Sequence, residues 1–339
     1  MTRPTTADVP RRVLQVDDVR KYFKTRRTKL GGPRRHVHAV DRVSLSLDAG
    51  RTLGIVGESG CGKSTLGRVI VGLEQPDIGT VTVGEGAVPA GSPTARGVVQ
   101  AVFQDPASAL DPRMTVRQSI AEALPGLDNS ARDRRCLEAL EDVGLAEEYA
   151  DRYPHELSGG QQQRVCVARA VVAKPELILL DEAVTALDAS LQAQVLDLLE
   201  RLQQRTGVAY VFISHDLRAV RRFSDRVAVM YLGQLVEVAP ADDFDTGLLH
   251  PYSVALRSTE PRLPGDAEKG VRRIVLDGEP PSAVDPPTGC RFAARCPAVE
   301  ARCREALPAL VEERPGHFVR CVKPGVLTTA ASTPNEAAR

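Results

Sequence analysis

The residues Gly57-Glu58-Ser59-Gly60-Cys61-Gly62-Lys63-Ser64-Thr65 have the spacing GxxxxGK[ST], a pattern that holds phosphate. Its glycines let successive backbone N–H groups converge on anionic oxygens with no Cβ in the way. A helix starting at the end of the loop adds partial positive charge. Lys63 can neutralise the outer phosphates of a triphosphate, and the Ser64 hydroxyl can ligate Mg2+. Gly57 through Thr65 are therefore candidate nucleotide contacts; Cys61 fills a position with no chemical demand. Further along, the apolar run Leu177–Leu180 ends in Asp181-Glu182. Such a run lifts Asp181 to the edge of a parallel sheet, where it can hold Mg2+ through water. Glu182 is then a candidate general base for an attacking water. Alone, the two acids could equally cap a strand. Between these two segments lies Leu157-Ser158-Gly159-Gly160-Gln161, a glycine-rich helix start with Ser158 near the N-cap. It can bind an anion, or it can be an ordinary turn before a helix.

The elements that must position these groups can be read from periodicity. A short strand over 51–56 runs into the phosphate loop, and a helix over 66–72 leaves it. That strand–loop–helix order is the context the motif requires. Ser130–Gly144 and Gln161–Val172 carry helical spacing. Ala189–Thr206 is amphipathic, with Leu191, Val195, Leu198, Leu199 and Leu202 on one face, and Gly207 stops it. Val208–Ile213 reads as an apolar strand. From Leu14 to about Pro240 strands and helices alternate, as in an α/β domain. Past Ala239 the chain is punctuated by prolines and long periodic segments vanish.

Composition excludes several classes. With 44 Lys+Arg against 44 Asp+Glu, the net charge is zero, which argues against a chain held mainly by nucleic-acid phosphates. Trp is absent and aromatics are 4%, which disfavours base-stacking platforms. No run approaches the roughly 18 apolar residues of a membrane-spanning helix. The first residues lack an apolar stretch, so no secretory signal is expected and the chain is expected to stay in the cytoplasm. Lys24–His36 is a basic insertion, read as a solvated loop, with a membrane-headgroup contact as the alternative.

Four of the seven cysteines, Cys290, Cys296, Cys303 and Cys321, fall late in the chain with spacing C-x5-C-x6-C-x17-C. Disulfides are not expected in a reducing compartment, so the group leans towards a metal site. No CxxC pair is present, which weakens a zinc-ribbon reading. Four thiolates could tie a Pro-rich region together through a cluster, bind zinc, or remain free. Arg291, Arg295 and Arg302 could offset the charge of a cluster or be solvated.

Phosphate loop, LSGGQ-type segment and acidic strand, in that order, resemble the ATP-binding subunit of an ABC transporter. The resemblance implies an α/β fold: a P-loop NTPase ABC ATPase domain with a helical subdomain, plus a small Cys-containing, Pro-rich C-terminal region. Residues 1–12 would be a disordered leader, 13–245 the ATP-binding domain, 246–325 the C-terminal region and 326–339 a flexible tail. Gln104, in Val102-Phe103-Gln104-Asp105-Pro106, matches the family's Q-loop glutamine, which reaches Mg2+ and the attacking water. Asp188 matches the D-loop, and His215 the switch histidine that contacts the γ-phosphate. Phe23 matches the aromatic that stacks on adenine, with Tyr22 as the alternative. The family usually has Pro after the catalytic Glu; here it is Ala183. That residue is no ligand, so altered loop stiffness is expected, not lost activity.

In detail the chain is similar to the oligopeptide/dipeptide importer branch. The basic insertion before Val37–Asp41, the GESGCGKSTLGR stretch, Asp111-Pro112-Arg113-Met114-Thr115 and His250-Pro251-Tyr252 before the cysteines carry that likeness. It implies ATP and Mg2+ as ligands and a [4Fe-4S] cluster on the four late cysteines. It also implies two ATPase subunits docked head to tail, with Ser158–Gln161 completing the partner's site. The second subunit would be a copy or a paralogue. The remaining expected partners are integral-membrane permease subunits and an extracytoplasmic substrate-binding protein, with no nucleic acid. The chain would then sit peripherally on the cytoplasmic face of the plasma (inner) membrane. The alternative readings are import of nickel, oligosaccharide or another solute, and a soluble ABC ATPase acting on DNA or ribosomes. The single cassette and the absence of a heptad array weigh against the last.

Overall fold

The structure is a computed structural model that describes residues 11–25, 35–185, 187–245, 247–260, 274–276 and 278–329. Most of the expected leader (1–10), most of the basic insertion (26–34), Ala186 of the D-loop and residues 330–339 of the tail lie outside the described residues.

Two sheets sandwich the first helix. Strands β1 (Arg12–Lys24) and β2 (His36–Asp48) pair antiparallel, and β3 (Thr52–Val56) runs through the phosphate loop into α1 (Lys63–Ile70). Strands β4 (Ile78–Val83) and β5 (Val88–Pro89) complete the smaller sheet, ordered β2-β1-β4-β5. Next come β6 (Val99–Phe103) and a helical run: α2 (Pro106–Ala109), α3 (Val116–Ala121), α4 (Asn129–Asp142) and α5 (Gly159–Val171). The chain then returns as β7 (Leu177–Asp181), α6 (Ala189–Thr206), β8 (Ala209–Ile213), α7 (Leu217–Phe223), β9 (Arg226–Tyr231) and β10 (Gln234–Pro240). Past these lie α8 (Pro251–Ser258), α9 (Arg302–Glu305), the hairpin β11 (Val311–Arg314) and β12 (His317–Val319), and α10 (Val326–Thr329).

The larger sheet is ordered β11-β12-β10-β9-β3-β8-β7-β6, and β9, β3, β8, β7 and β6 are parallel. Strands β3, β7 and β8 are buried on both faces, which explains why they read as continuous apolar runs. Side chains alternate between two cores because the strand period is two. On β8, Ala209, Val211 and Ile213 join the core shared with α1 and the smaller sheet. Tyr210 and Phe212 join the opposite core, beneath α5, α6 and α7. Asp188 caps α6, accepting from the N–H groups of Ser190 and Leu191 at 3.0 Å, and Gly207 ends it at φ 73°. The apolar face read from the sequence, Val195, Leu198, Leu199 and Leu202, is buried; Leu191 is only half-buried.

The C-terminal region is not a separate layer. β12 pairs with β10 and extends the main sheet. The join is locked by His317, fully buried, whose Nε2 lies 2.7 Å from Glu237 Oε1 and whose Nδ1 lies 3.2 Å from Asp243 Oδ2. Glu237 also accepts from the Leu249 and His250 N–H groups. Burial opposes the imidazolium, yet the hydrogen bonds and charges of Glu237 and Asp243 outweigh it and hold the His317 pKa above its ordinary value. That stabilisation is complete below the unfolded imidazole pKa of about 6.5 and fades as pH rises through the folded value. His317→Ala leaves Glu237 buried with its countercharge gone. It is expected to cost about 3–5 kcal/mol, read from the denaturant midpoint at pH 6.

Candidate functional site

The parallel strands deliver their carboxyl ends to one edge, where ligands of open α/β sheets bind. Phe103, Asp181 and Ile213 stand in register across β6, β7 and β8, and Ile55 of β3 pairs with Ile213. The next residues along each chain therefore emerge together: Gln104 after β6, Glu182 after β7, Ser214-His215 after β8, and Gly57 after β3.

The phosphate loop is held by its neighbours. Gly57 (φ 151°) and Gly62 (φ 108°) could not carry a side chain: a Cβ would stand 2.1 Å from the Met230 carbonyl oxygen and 1.9 Å from that of Ala39, respectively. Lys63 is buried and folds back, donating from Nζ to the Gly57 carbonyl at 2.8 Å and the Glu58 carbonyl at 3.1 Å. Ser59 and Gly60 are exposed at the loop tip, Ser64 and Thr65 half-buried at the start of α1, and Cys61 buried beneath, its thiol pushed up mainly by burial. The Ser64 hydroxyl donates to Asp181 Oδ1 at 3.1 Å. Two hard oxygen donors, 117 residues apart in the chain, thus meet where a Mg2+ ligand set is expected. Burial pushes the Asp181 carboxyl up, the Ser64 hydrogen bond opposes this, and the charge of Glu182 adds to it. A divalent cation there would reverse the balance.

Glu182 adopts φ 52°, a left-handed conformation uncommon outside glycine, and its N–H donates to the Ile213 carbonyl at 2.9 Å. Strain of this kind clusters at functional sites. Its Oε2 lies 3.8 Å from Nδ1 of His215, a side chain 65% exposed. Gln104 is also exposed. Ala183, where the family usually has Pro, is buried at 3% exposure and belongs to the core beneath α5, α6 and α7. Of the two candidate aromatics, Tyr22 is already engaged. It donates to Asp41 at 2.8 Å, and its ring lies 4.4 Å from that of His38. Phe23 is exposed, with the Lys21 ammonium 5.3 Å from its ring centroid.

Ser158 forms a capping box at the start of α5, accepting from the Gln161 N–H at 3.4 Å while the Gln161 side chain accepts from the Ser158 N–H at 2.9 Å. Ser158 and Gly159 are exposed, Gly160 is buried, and the Gly159 and Gly160 N–H groups have no carbonyl partner within the helix. α5 packs on α2, α3, α4 and β6. Among the described residues no hydrogen bond joins Ser158–Gln161 to the phosphate loop. Asp188 is exposed and occupied as the α6 cap.

The four late cysteines line one cavity of about 20 Å³, together with His250, Phe292 and Pro308. That is room for about one water. Burial pushes the Cys290, Cys296 and Cys321 thiols up, Cys321 to about 11. Among the described residues no three His, Cys, Asp or Glu side chains stand close enough to share one metal ion.

A family model described as "ABC transporter" matches residues 40–185, and one described as "Oligopeptide/dipeptide transporter, C-terminal region" matches 236–303. The oligopeptide transport ATP-binding protein AppF of Bacillus subtilis is 45% identical over 319 residues, covering 91% of this chain and 96% of its own. The chain belongs to the ABC transporter ATP-binding subunits. The oligopeptide transport ATP-binding protein OppF of Escherichia coli is 43% identical over 321 residues, covering 92% of this ABC subunit and 96% of its own length. Among solved structures, a dimeric ATP-binding cassette in a post-hydrolysis state, bound to ADP and Pi, superposes with TM-score 0.58 at 28% identity. It covers 67% of this chain and 98% of that one. The ABC ATPase fold expected from the sequence is the fold observed. No helix among the described residues of this ABC subunit is long and apolar enough to cross a membrane.

Four contacts of this ABC subunit escaped the sequence. Tyr252 accepts from the Glu58 N–H at 2.9 Å. Arg295 binds the Glu58 carboxylate, and Arg291 binds Asp41 and the Leu232 carbonyl. The arginines flanking the cysteines are thus directed at the nucleotide face, while Arg302 pairs with Glu300 at the surface. Spacing carried no signal for these pairs, which are far apart in the chain.

Proposed function

We propose that this chain is the ATP-hydrolysing motor subunit of an importer for oligopeptides or dipeptides. The observation that carries the reading is the convergence of the phosphate loop, Asp181-Glu182, Gln104 and His215 at one sheet edge, with a peptide-transporter-type region joined to the same sheet. Lys63 exchanges the Gly57 and Glu58 carbonyls for the β- and γ-phosphate oxygens. Ser64, Asp181 and Gln104 would hold Mg2+, which would neutralise charge on the phosphates. Glu182 accepts a proton from the attacking water, and His215 holds the γ-phosphate. Phe23 stacks on the adenine.

The Ser158–Gln161 corner, exposed at Ser158 and Gly159 and with no hydrogen bond to its own phosphate loop among the described residues, supports a composite site. It would close over the ATP of a second ATPase subunit, a paralogue in our reading, with Asp188 at the same interface. Closure gains charge-assisted contacts across the boundary, and hydrolysis removes them. A cavity of about 530 Å³, lined by Phe103 (which precedes Gln104 in the chain), Leu73, Arg96, Glu122 and Arg169, suits a cytoplasmic element of the permease. The assembly places the chain on the cytoplasmic face of the inner membrane, with the binding protein outside. Residues 13–245 form the ATP-binding domain in this reading and 246–325 the region typical of the branch.

The cysteine cavity supports a [4Fe-4S] cluster by donor type, four soft thiols facing one space. The absence of a CxxC pair disfavours a zinc ribbon. A cluster binds each thiolate at its own corner, and the present cavity would have to widen around it. Protein reconstituted anaerobically with iron and sulfide is expected to retain about four of each per chain; absence of both would remove the cluster.

Cargo is tested by uptake. A strain lacking this chain should lose growth on tri- and tetrapeptides as amino-acid source and regain it with the wild-type copy. Normal peptide uptake together with loss of nickel or oligosaccharide uptake would overturn the peptide reading.

A further inference from the structure

Glu58 is a node. Its N–H donates to Tyr252 Oη at 2.9 Å, its carbonyl accepts from Lys63 Nζ at 3.1 Å, and both carboxylate oxygens accept from Arg295 Nη1, at 2.9 and 3.1 Å. Arg295 is 9% exposed, against 29% for Glu58, and Tyr231 Oη stands 3.4 Å from the same Nη1. Arg295 belongs to the short stretch between Cys290 and Cys296. Phe292, in the same stretch, packs with ring centroids 5.4 Å from both Tyr231 and Tyr252. At the start of the stretch Arg291 grips Asp41, which also accepts from Tyr22. One cysteine-bearing segment therefore braces the phosphate loop and the base side of the candidate nucleotide site.

The chemistry at Glu58 is a problem without that brace. A carboxylate in a loop that must receive a triphosphate repels it, and low solvent exposure strengthens the repulsion. A guanidinium held on that carboxylate cancels the charge and fixes the loop. We propose that Arg295 is a positioning residue of the phosphate loop, which neutralises Glu58 and, with Tyr252, holds the loop ready for triphosphate, so that the cysteine-bearing segment sets the chain's affinity for nucleotide. The proposal deepens the ATPase reading and rests on it. Coupling of this kind is reciprocal: bound nucleotide must also stabilise the cysteine segment.

The test is a charge cycle on the full chain: Arg295→Gln, Arg295→Lys, Glu58→Gln and the double variant Glu58→Gln/Arg295→Gln. Affinity for MgATP and MgADP is read by displacement of a fluorescent nucleotide, and KM and kcat in the assembled complex. Arg295→Gln is expected to weaken MgATP about five- to tenfold, and MgADP less, because ADP carries less charge. KM rises while kcat holds. The double variant recovers to within about threefold of wild type, and Arg295→Lys falls between, keeping the charge but on a more strongly hydrated ammonium. Glu58→Gln alone tightens MgATP about twofold. Wild-type affinity in Arg295→Gln, or a double variant as weak as the single one, would overturn the proposal. If Arg295 variants do not fold, Glu58→Gln decides: weakened MgATP binding would overturn it. Lys63→Ala in parallel shows whether the loop binds nucleotide at all; its failure to matter would sink the ATPase reading, not only the brace.

Discussion

Glu182→Gln is expected to slow ATP hydrolysis by about 10²–10⁴-fold while leaving ATP binding intact. The amide keeps the shape and the φ 52° backbone of Glu182 but cannot take a proton. Water then attacks unassisted, and the closed dimer accumulates with ATP trapped. Phosphate release in the assembled complex checks the rate, and retention of labelled ATP on a desalting column checks the trap. Wild-type turnover would move the role of base elsewhere. His215, 3.8 Å away and largely exposed, is a group with the chemistry to take it.

Lys63→Ala acts on a different step. The ammonium is buried and donates to the Gly57 and Glu58 carbonyls, so its removal leaves both acceptors without that donor. With triphosphate bound it removes charge-assisted hydrogen bonds to the outer phosphates. MgATP affinity is expected to fall by about a hundredfold or more, MgADP less. Calorimetry at fixed Mg2+ measures both. The contrast between the variants is diagnostic: one binds and does not turn over, the other turns over little because it does not bind.

What could be read from the sequence was local. The phosphate loop, the Ser158 cap and α6 with its Gly207 stop are each written within a few residues, so spacing alone locates them. Strands β7 and β8 could be read because burial on both faces leaves them uniformly apolar. The hairpin β11–β12 could not, because β11 is exposed along its whole length and gives no alternation. Nor could the long-range charge pairs. Arg295 and Glu58 are 237 residues apart, His317 and Glu237 80 apart, and nothing in either neighbourhood names the partner. Arg291 and Arg295 stand beside cysteines in sequence, which suggested cluster charge; in space they face acids of the nucleotide side. Pairing of charges is a property of the fold, and only residue types survive in the sequence.

The measurement that bears most directly on the central claim is ATP consumption by the chain assembled with its permease, partner ATPase and binding protein in proteoliposomes, with and without peptide. The account predicts hydrolysis that peptide stimulates, that accompanies peptide accumulation, and that falls together with it when this chain carries Glu182→Gln. Peptide accumulation that continues unchanged with that variant, or in the absence of ATP, would contradict it.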